Sequence, residues 1–532
     1  MRLSKVSGQE KLAKSKNEVR IDISGGKMNA RKQYQWLLEH FRETAFYDSI
    51  KRLLNWDQRT CLPPGGHSHR AAQLAVLAGL LSRRMTDPQI GESLAALEQG
   101  MSSINNFSQV ESVNVREWRR IYDRACKIPE SLSVELARVT SEGELAWETA
   151  RLENNWNSFL PHLKRIVELK RQEALALGFD DELYDGLMDD FEPGETTGKI
   201  QPLFEKLGAA LVELLGRIKG SERHPDPNLL VGDSPVHSQE ILIREIMEKI
   251  GYNLDGGRID RSAHPFMSNI GPGDARITTR FDPSSFATAL FSAIHETGHA
   301  LYEQGLPAEH WGTPRGESSS MGIHESQSRL WENMVGRSAG FCNFLHPVAG
   351  KLFPWLEKIP PGEFHAALNA VRPSLIRTEA DEVTYNLHII MRFELELALI
   401  RGDLRPEELV EAWNDKMKKY LGLIPPDYAS GVMQDVHWSG GAFGYFPSYA
   451  LGTMHAAQFY AKAEQDLGSL EEMFAAGEFD VFAKWLRKNI HEQGRCHLPR
   501  DLVKVVTGEE PSPKYLIEYM NSKYRSIYNL DG

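Results

Sequence analysis

The sequence reads DPSSFATALFSAIHETGHALYEQG over residues 282–305. Its apolar residues recur at the spacing of one helix face: Phe286, Leu290, Ile294 and Leu301. Asp282 is a good N-cap residue, Pro283 suits a first turn, and Gly305 can end a helix. The stretch therefore predicts an α-helix that begins at Asp282 and ends at Gly305.

This helix carries an HExxH motif at 295–299. His295 and His299 lie one turn apart, so both imidazoles can reach one metal ion, and Glu296 is placed to hydrogen-bond a water there. A chance motif usually lies on a solvated helix face, but the flanking residues here are apolar. Gly298 costs about 1 kcal/mol relative to alanine inside a helix. Its presence predicts close approach of another element beside the metal.

The rest of the chain also has mainly helical patterns. Residues 201–219 have a leucine-rich stripe, and residues 383–400 form a long apolar segment that ends at Gly402. The best strand signal is RITTRF at 276–281, where apolar and polar residues alternate. We predict a mainly α fold with a small antiparallel sheet at its edge. The strand 276–281 could hold a peptide by edge pairing.

Composition excludes several classes of protein. The 532 residues are 41% hydrophobic and 25% charged, with a net charge of −12, which is typical of a globular protein and gives no support for nucleic-acid binding. The apolar runs are too short for a membrane span. Four scattered cysteines argue against a disulfide framework, so we expect a cytoplasmic protein. We predict a disordered extension at 1–28 and a single domain at 29–532.

A zinc site of this kind needs a third protein ligand. The segment SSSMGIHESQSRLWENMV, residues 318–335, is predicted to be a helix whose apolar stripe leaves Glu325 on another face. Glu332 lies two turns later and competes with it. A solvated carboxylate is the alternative for Glu325, and spacing alone leaves the choice open.

Further motifs, taken together, resemble those of the carboxypeptidase Taq (thermostable carboxypeptidase 1) family. They span about residues 29–505 in this order: HPF at 264–266, DARIT at 274–278, HETGH at 295–299, HESQ at 324–327, IRTEAD at 376–381, GVMQDVHW at 431–438 and GYFPSYALG at 444–452. The N-terminal stretch 54–77 also matches, apart from Cys61, where we expect methionine or another apolar residue.

The resemblance implies a large helical metallopeptidase with a deep active-site groove. It implies a homodimer that releases single C-terminal amino acids from peptides with broad specificity. It also assigns the third ligand to Glu325, for one divalent ion per chain, with zinc as the default and cobalt as a substitute. One alternative is an endo-oligopeptidase or dipeptidyl-carboxypeptidase with the same zinc site, and another is a binding protein with a degenerate site.

The expected chemistry assigns roles to other residues. Glu296 is the expected general base, which takes a proton from water and passes it to the leaving amine. The charge that develops on the carbonyl oxygen needs a hydrogen-bond donor, for which His437 and Tyr445 are the candidates. The alternative for both is a packed residue with a satisfied polar tip.

An exopeptidase must also recognise the substrate's free carboxylate, which a guanidinium does well. Arg377 is the first candidate and Arg276 the second, with an internal ion pair as the alternative for each. His264 is a candidate for the substrate pocket, or simply a turn residue before a proline. Asp381 and Asp435 are candidates for orienting the ligand histidines.

Overall fold

The computed structural model describes residues 23–103, 107–179 and 181–530, with side chains from residue 30 and without those of 100–103. Twenty α-helices lie in these ranges: α1 Ile23–Thr60, α2 His67–Met85, α3 Pro88–Ser103, α4 Gln109–Lys127, α5 Glu130–Leu152, α6 Trp156–Leu177, α7 Leu183–Met188, α8 Thr197–Lys219, α9 Val236–Lys249, α10 Phe286–Gly305, α11 Met321–Arg329, α12 Ala339–Leu352, α13 Pro361–Leu368, α14 Glu382–Arg401, α15 Leu409–Leu421, α16 Phe446–Leu467, α17 Leu470–Ala475, α18 Asp480–Asn489, α19 Pro499–Thr507 and α20 Lys514–Tyr528. The predicted mainly α class is confirmed.

The first helix begins at Ile23, so the extension predicted to be disordered over 1–28 is helical at residues 23–28. The expectation for residues 1–22 lies outside the described residues. Among the described helices, none is long and apolar enough to cross a lipid bilayer.

The sheet has three strands, β1 Gly257–Arg261, β2 Met267–Gly271 and β3 Asp274–Thr279, in the order β1-β3-β2. It is mixed rather than antiparallel, because β3 pairs antiparallel with β2 but parallel with β1. The predicted strand is therefore central. Both edges of β3 are already paired with neighbouring strands. The prediction that this strand holds a peptide by edge pairing is therefore wrong.

Helix α10 begins at Phe286, four residues after the predicted N-cap. The Asp282 carboxylate accepts hydrogen bonds from the backbone and hydroxyl of Ser284, which closes a local turn before the helix starts. Ser285, with extended backbone angles, occupies the N-cap position instead.

Two apolar clusters support this architecture. The larger runs from Val139 to Leu530 and surrounds α10, α11, α14 and α16. A smaller one belongs to the N-terminal helices α1, α3 and α4 and centres on Trp118. Helix α11 continues into a π-helical turn at Leu330–Val335, which is wider than an α turn.

Burial of histidine predicts that the fold loses stability in acid. His455 on α16 is 2% exposed, and its Nδ1 has no hydrogen-bond partner. Burial lowers the pKa of His455 to about 3. The unfolded chain, with a pKa near 6.5, binds more protons between these values, so stability falls as pH falls below 6.5.

We expect His455 to cost about 2 kcal/mol of stability at pH 5 relative to neutral pH. Between pH 7.5 and 5.0, the free energy of unfolding of the His455→Gln variant should therefore fall by about 2 kcal/mol less than that of the wild type, as measured by urea unfolding. The exposed His69 provides the control, and His69→Gln should keep the wild-type loss. Equal losses in all three proteins would contradict the assignment.

Candidate metal centre

Helices α10 and α11 bring three metal-ligand side chains together. One ligand atom from each of His295, His299 and Glu325 lies within 4.8 Å of the others. Oε2 of Glu325 is 3.7 Å from Nε2 of His295 and 3.5 Å from Nε2 of His299. Ligands at 2.0–2.1 Å from a tetrahedral ion stand about 3.4 Å apart, so these residues fit such an ion.

Unsatisfied polar groups support the same interpretation. Glu325 is 6% exposed, and its Oε1 is buried with no hydrogen-bond partner. A buried acceptor of this kind is costly unless something binds it. Two imidazole nitrogens and a carboxylate are the donor set that Zn²⁺ commonly takes.

Two glycines set how closely α10 and α16 pack against α11. A Cβ on Gly298 of α10 would lie 2.5 Å from the backbone oxygen of Gln327 on α11. The predicted close approach beside the motif is therefore observed. A Cβ on Gly452 of α16 would lie 2.7 Å from both Cβ and Cγ of Glu325. Helix α16 thus packs directly against the candidate ligand.

This contact makes a testable prediction for Gly452→Ala. The new methyl group would displace Glu325, so metal affinity should fall at least about tenfold, as when a group that orients a ligand is lost. A chelator competition titration measures this. Gly216→Ala in α8, where nothing lies within 4 Å of the added carbon, is the control and should keep wild-type affinity. An unchanged metal affinity in Gly452→Ala would show that α16 shifts to make room for the methyl group while Glu325 keeps its position.

The two histidines are oriented from their Nδ1 sides. Nδ1 of His295 donates to Oε2 of Glu332 at 2.8 Å, and Nδ1 of His299 donates to the backbone oxygen of His324 at 3.1 Å. These bonds leave both Nε2 atoms directed at Glu325. Glu332 thus lies behind His295 rather than among the ligand atoms that face one another. Sequence reasoning considered it only as a ligand.

The two predicted orienting carboxylates are used elsewhere. Asp381 caps α14 by accepting from the backbone of Val383 and Thr384. Asp435 forms ion pairs with Arg377 and Arg392. Neither contacts a candidate ligand among the described contacts, so neither of these candidates orients a ligand histidine. A helix start and two arginines satisfy their charges.

The charges of the centre are strongly coupled. Burial would raise the pKa of Glu325, but His295 and His299 outweigh it and lower that pKa to about 2. Burial opposes protonation of His295, yet Glu325 and Glu332 raise its pKa to about 9. Burial and His324 lower the pKa of His299 to about 4.

Glu296 has a different environment. It is 8% exposed, and burial raises its pKa to about 7, opposed by His295. A carboxylate with a pKa near the working pH can both accept and release a proton. Its position beside His295 on α10 places this group next to the three candidate ligands.

The predicted donors His437 and Tyr445 lie in one aromatic cluster, with ring centroids 5.6 Å apart. Nε2 of His437 is 3.2 Å from the hydroxyl of Tyr449. Burial lowers the pKa of His437 to about 4, which leaves the ring neutral. Burial raises the pKa of Tyr445, and the charge of Glu325 raises it further, which links this cluster to the centre.

Tyr449 belongs to the same aromatic cluster, and sequence reasoning did not single it out. Its ring lies 5.1 Å from that of Tyr445, the N-cap residue of α16, and Tyr449 lies in the first turn of that helix. The GYFPSY segment contains both tyrosines, so the spacing between them was the available signal.

Both predicted carboxylate-binding arginines have internal partners. Arg377 is buried, and its Nε and Nη2 both bond Oδ1 of Asp435 at 2.9 Å. Its Nη1 lies 3.5 Å from the hydroxyl of Tyr385. Arg276 bonds Asp274 through Nε and Nη2 and stacks over Trp56.

Arg377 connects to the centre through side chains. The guanidinium of Arg329 lies 3.9 Å from the ring centre of Tyr385 and bonds Glu332, which holds His295. His264 lies exposed in the loop after β1, where its backbone oxygen accepts from Ser262. None of the described contacts joins His264 to the candidate ligands.

A mainly helical chain with an HExxH helix and a facing carboxylate defines a helical metallopeptidase. The family model of carboxypeptidase Taq (M32) metallopeptidases matches residues 36–524, and the chain belongs to this family. It is a metal-dependent carboxypeptidase, which acts on peptides and uses a divalent metal.

Relatives of known identity agree over nearly the whole chain. Thermostable carboxypeptidase 1 of Thermus thermophilus is 52% identical over 510 residues, 94% of this chain and 100% of the relative. Carboxypeptidase 1 of Bacillus subtilis is 37% identical over 92% of this chain and 99% of the relative. The crystal structure of M32 carboxypeptidase from Deinococcus radiodurans has a TM-score of 0.90 and 37% identity, covering 94% of this chain and 100% of that one.

Proposed function

We propose that His295, His299 and Glu325 hold one zinc ion, with cobalt able to replace it. The observation that carries this proposal is the convergence of two Nε2 atoms on one buried carboxylate at 3.5 and 3.7 Å. When bound, the ion supplies a Lewis acid that lowers the pKa of water and polarises a carbonyl. Metal analysis of the purified chain tests its identity, and one zinc per chain is expected.

The chain's own residues then move the proton and hold the developing charge. The carboxylate of Glu296 takes a proton from the attacking water and delivers it to the leaving amine nitrogen. His437 and Tyr445 donate hydrogen bonds to the carbonyl oxygen as it gains charge. The hydroxyl of Tyr449 shares a hydrogen bond with Nε2 of His437, so it is an alternative donor that replaces His437 when Nε2 of the ring donates to it.

We assign recognition of the substrate's terminal carboxylate to Arg377, with Arg276 as the second candidate. Asp435 occupies the Nε–Nη2 side of the Arg377 guanidinium, and Nη1 has a single long contact. The guanidinium therefore retains N–H donors for a second carboxylate. The side-chain path from Arg377 to His295 supports this choice.

Arg377→Ala should raise KM for peptides with a free C-terminus about tenfold or more, because it removes a charge-assisted hydrogen bond. The same peptides amidated at the C-terminus, where cleaved at all, should show a much smaller change. Arg276→Ala is the matched comparison. Equal effects of Arg377→Ala on acids and amides would reject its role.

Release of single residues distinguishes this activity from endopeptidase or dipeptidyl-carboxypeptidase action. A pool of unblocked peptides followed by mass spectrometry should shorten one residue at a time from the C-terminal end. Rapid cleavage of C-terminal amides would favour an endopeptidase, and losses of two residues would favour the dipeptidyl activity.

We further propose a cytoplasmic homodimer whose residues 29–532 form one domain. The four cysteines all lie in the described ranges and are free thiols, which suits a reducing compartment. The homodimer rests on the family resemblance, and light scattering should give twice the chain mass. Cooperative unfolding of both apolar clusters in one transition would support the single domain.

A further inference from the structure

A cavity of about 350 Å³ lies where α1, α2 and α4 face α10 and β2. This volume is within the range of small-ligand pockets. One part of its wall is apolar and includes Phe41, Leu81, Met85, Trp118, Ile121 and Trp311. The cavity is therefore suited to a large side chain that has an apolar stem.

One residue of the cavity lining, Glu303, lies close to the metal centre. Glu303 lies one helical turn beyond His299 on the same face of α10. Oε1 of Glu303 is 3.0 Å from Nε2 of His324, and the ring of His324 stacks on that of His299 at 4.5 Å. Side-chain contacts through Tyr385, Arg329 and Glu332 link Arg377 to the other histidine ligand, His295. The cavity and Arg377 are therefore connected to different ligands.

Two of the three carboxylates in the lining form ion pairs with arginines, whereas the third, Glu303, is influenced by the charge of Arg52 without a direct ion pair among the described contacts. Asp48 pairs with Arg52 at 2.6 Å, and Glu317 pairs with Arg495 at 3.1 Å. Glu303 bonds His324 and the side-chain amide of Asn269 instead. Three carboxylates and two guanidiniums line the cavity, which makes their sum negative by one charge.

We propose that this cavity binds the side chain of the third residue from the substrate's C-terminus and selects lysine or arginine there. The proposal rests on the proposed metal site and on Arg377 as the carboxylate-binding residue. The scissile carbonyl belongs to the penultimate residue, and the preceding Cα lies about 5 Å from it in an extended chain. One helical turn, about 5.4 Å, separates Glu303 from His299.

A basic side chain matches both parts of the wall. Its methylene stem packs on the aromatic residues of α1 and α4 while its cationic head reaches Glu303. A charge-assisted hydrogen bond to a partly buried carboxylate gives roughly tenfold preference or more. Glutamate at the same position would place a second negative charge beside Glu303 and be disfavoured.

The test uses N-blocked tetrapeptides that differ only at the third residue from the C-terminus: lysine, norleucine, glutamate or glycine. Wild-type kcat/KM should be about tenfold higher for lysine than for norleucine, and lowest for glutamate. Ratios within one preparation cancel differences in metal content. A second series varies the last residue and should not show the same preference.

Two variants and a control locate the effect. Glu303→Gln should reduce the lysine-to-norleucine ratio to about one to two. Ala45→Trp, on α1 and remote from the metal ligands, should fill the cavity and reduce kcat/KM for lysine about tenfold more than for glycine. Glu39→Gln, an exposed glutamate of α1 outside the lining, should leave every ratio unchanged.

The outcomes separate this proposal from the proposed function. Cleavage of all four peptides at equal rates, a lysine preference at the last residue instead, or an unchanged ratio in Glu303→Gln would overturn the cavity assignment alone. A metal-loaded chain that cleaves no peptide of either series would overturn the proposed function and this assignment with it.

Discussion

The Glu296→Gln variant should bind metal like the wild type and lose about 10²- to 10⁴-fold in kcat. Glutamine has nearly the same size and shape, so the packing of α10 is kept. Its amide cannot take a proton from water. The three convergent ligand atoms come from other residues, so the metal should stay.

Metal content and kcat must be measured on the same preparation. Glu213→Gln, an exposed glutamate of α8, controls for the loss of one negative charge and should behave like the wild type. Full activity in Glu296→Gln would place the base elsewhere. Loss of metal would show that Glu296 helps to hold it.

The second large effect separates Glu325 from Glu332. Glu325→Ala should abolish stoichiometric metal binding and all measurable turnover, because it leaves two imidazoles where a catalytic site needs three protein ligands. Glu332→Ala removes only the group that orients His295. It should weaken metal affinity about 10- to 100-fold and recover turnover when metal is added in excess.

A chelator competition titration gives the affinities, and circular dichroism checks that both variants are folded. Glu213→Ala is the control for truncating a glutamate. If Glu332→Ala lost metal irrecoverably and Glu325→Ala kept it, the ligand assignment would be reversed. Equal modest losses in both would indicate that the two carboxylates share the ion.

The sequence predicted the fold well where local patterns dominate. Helix α14 was expected at 383–400 and is observed at Glu382–Arg401, because its C-terminal glycine adopts the left-handed conformation at Gly402. Sheet topology depends on contacts between distant residues, so 276–281 revealed a strand but not that it lies between two others. The start of α10 failed because Asp282 closes a turn as readily as it caps a helix.

For the site, the spacing within one helix predicted that the imidazoles of His295 and His299 would face the same metal ion. The third ligand came from family resemblance, since Glu325 and Glu332 cannot be separated by helical period alone. Side-chain pairing across helices was not predictable in this way. Asp435 could not be assigned to Arg377 and Arg392, nor Tyr449 to His437, before their elements were placed in space.

The π-helical turn at Leu330–Val335 has a consequence for engineering. Such turns are rare, take more residues than an α turn and recur at functional sites. Here the widened turn carries Glu332 to the back of His295. Deleting one residue from this turn to obtain a regular α-helix would rotate the Glu332 side chain away from His295. Any thermostability gained from the regular helix would therefore be accompanied by weaker metal binding.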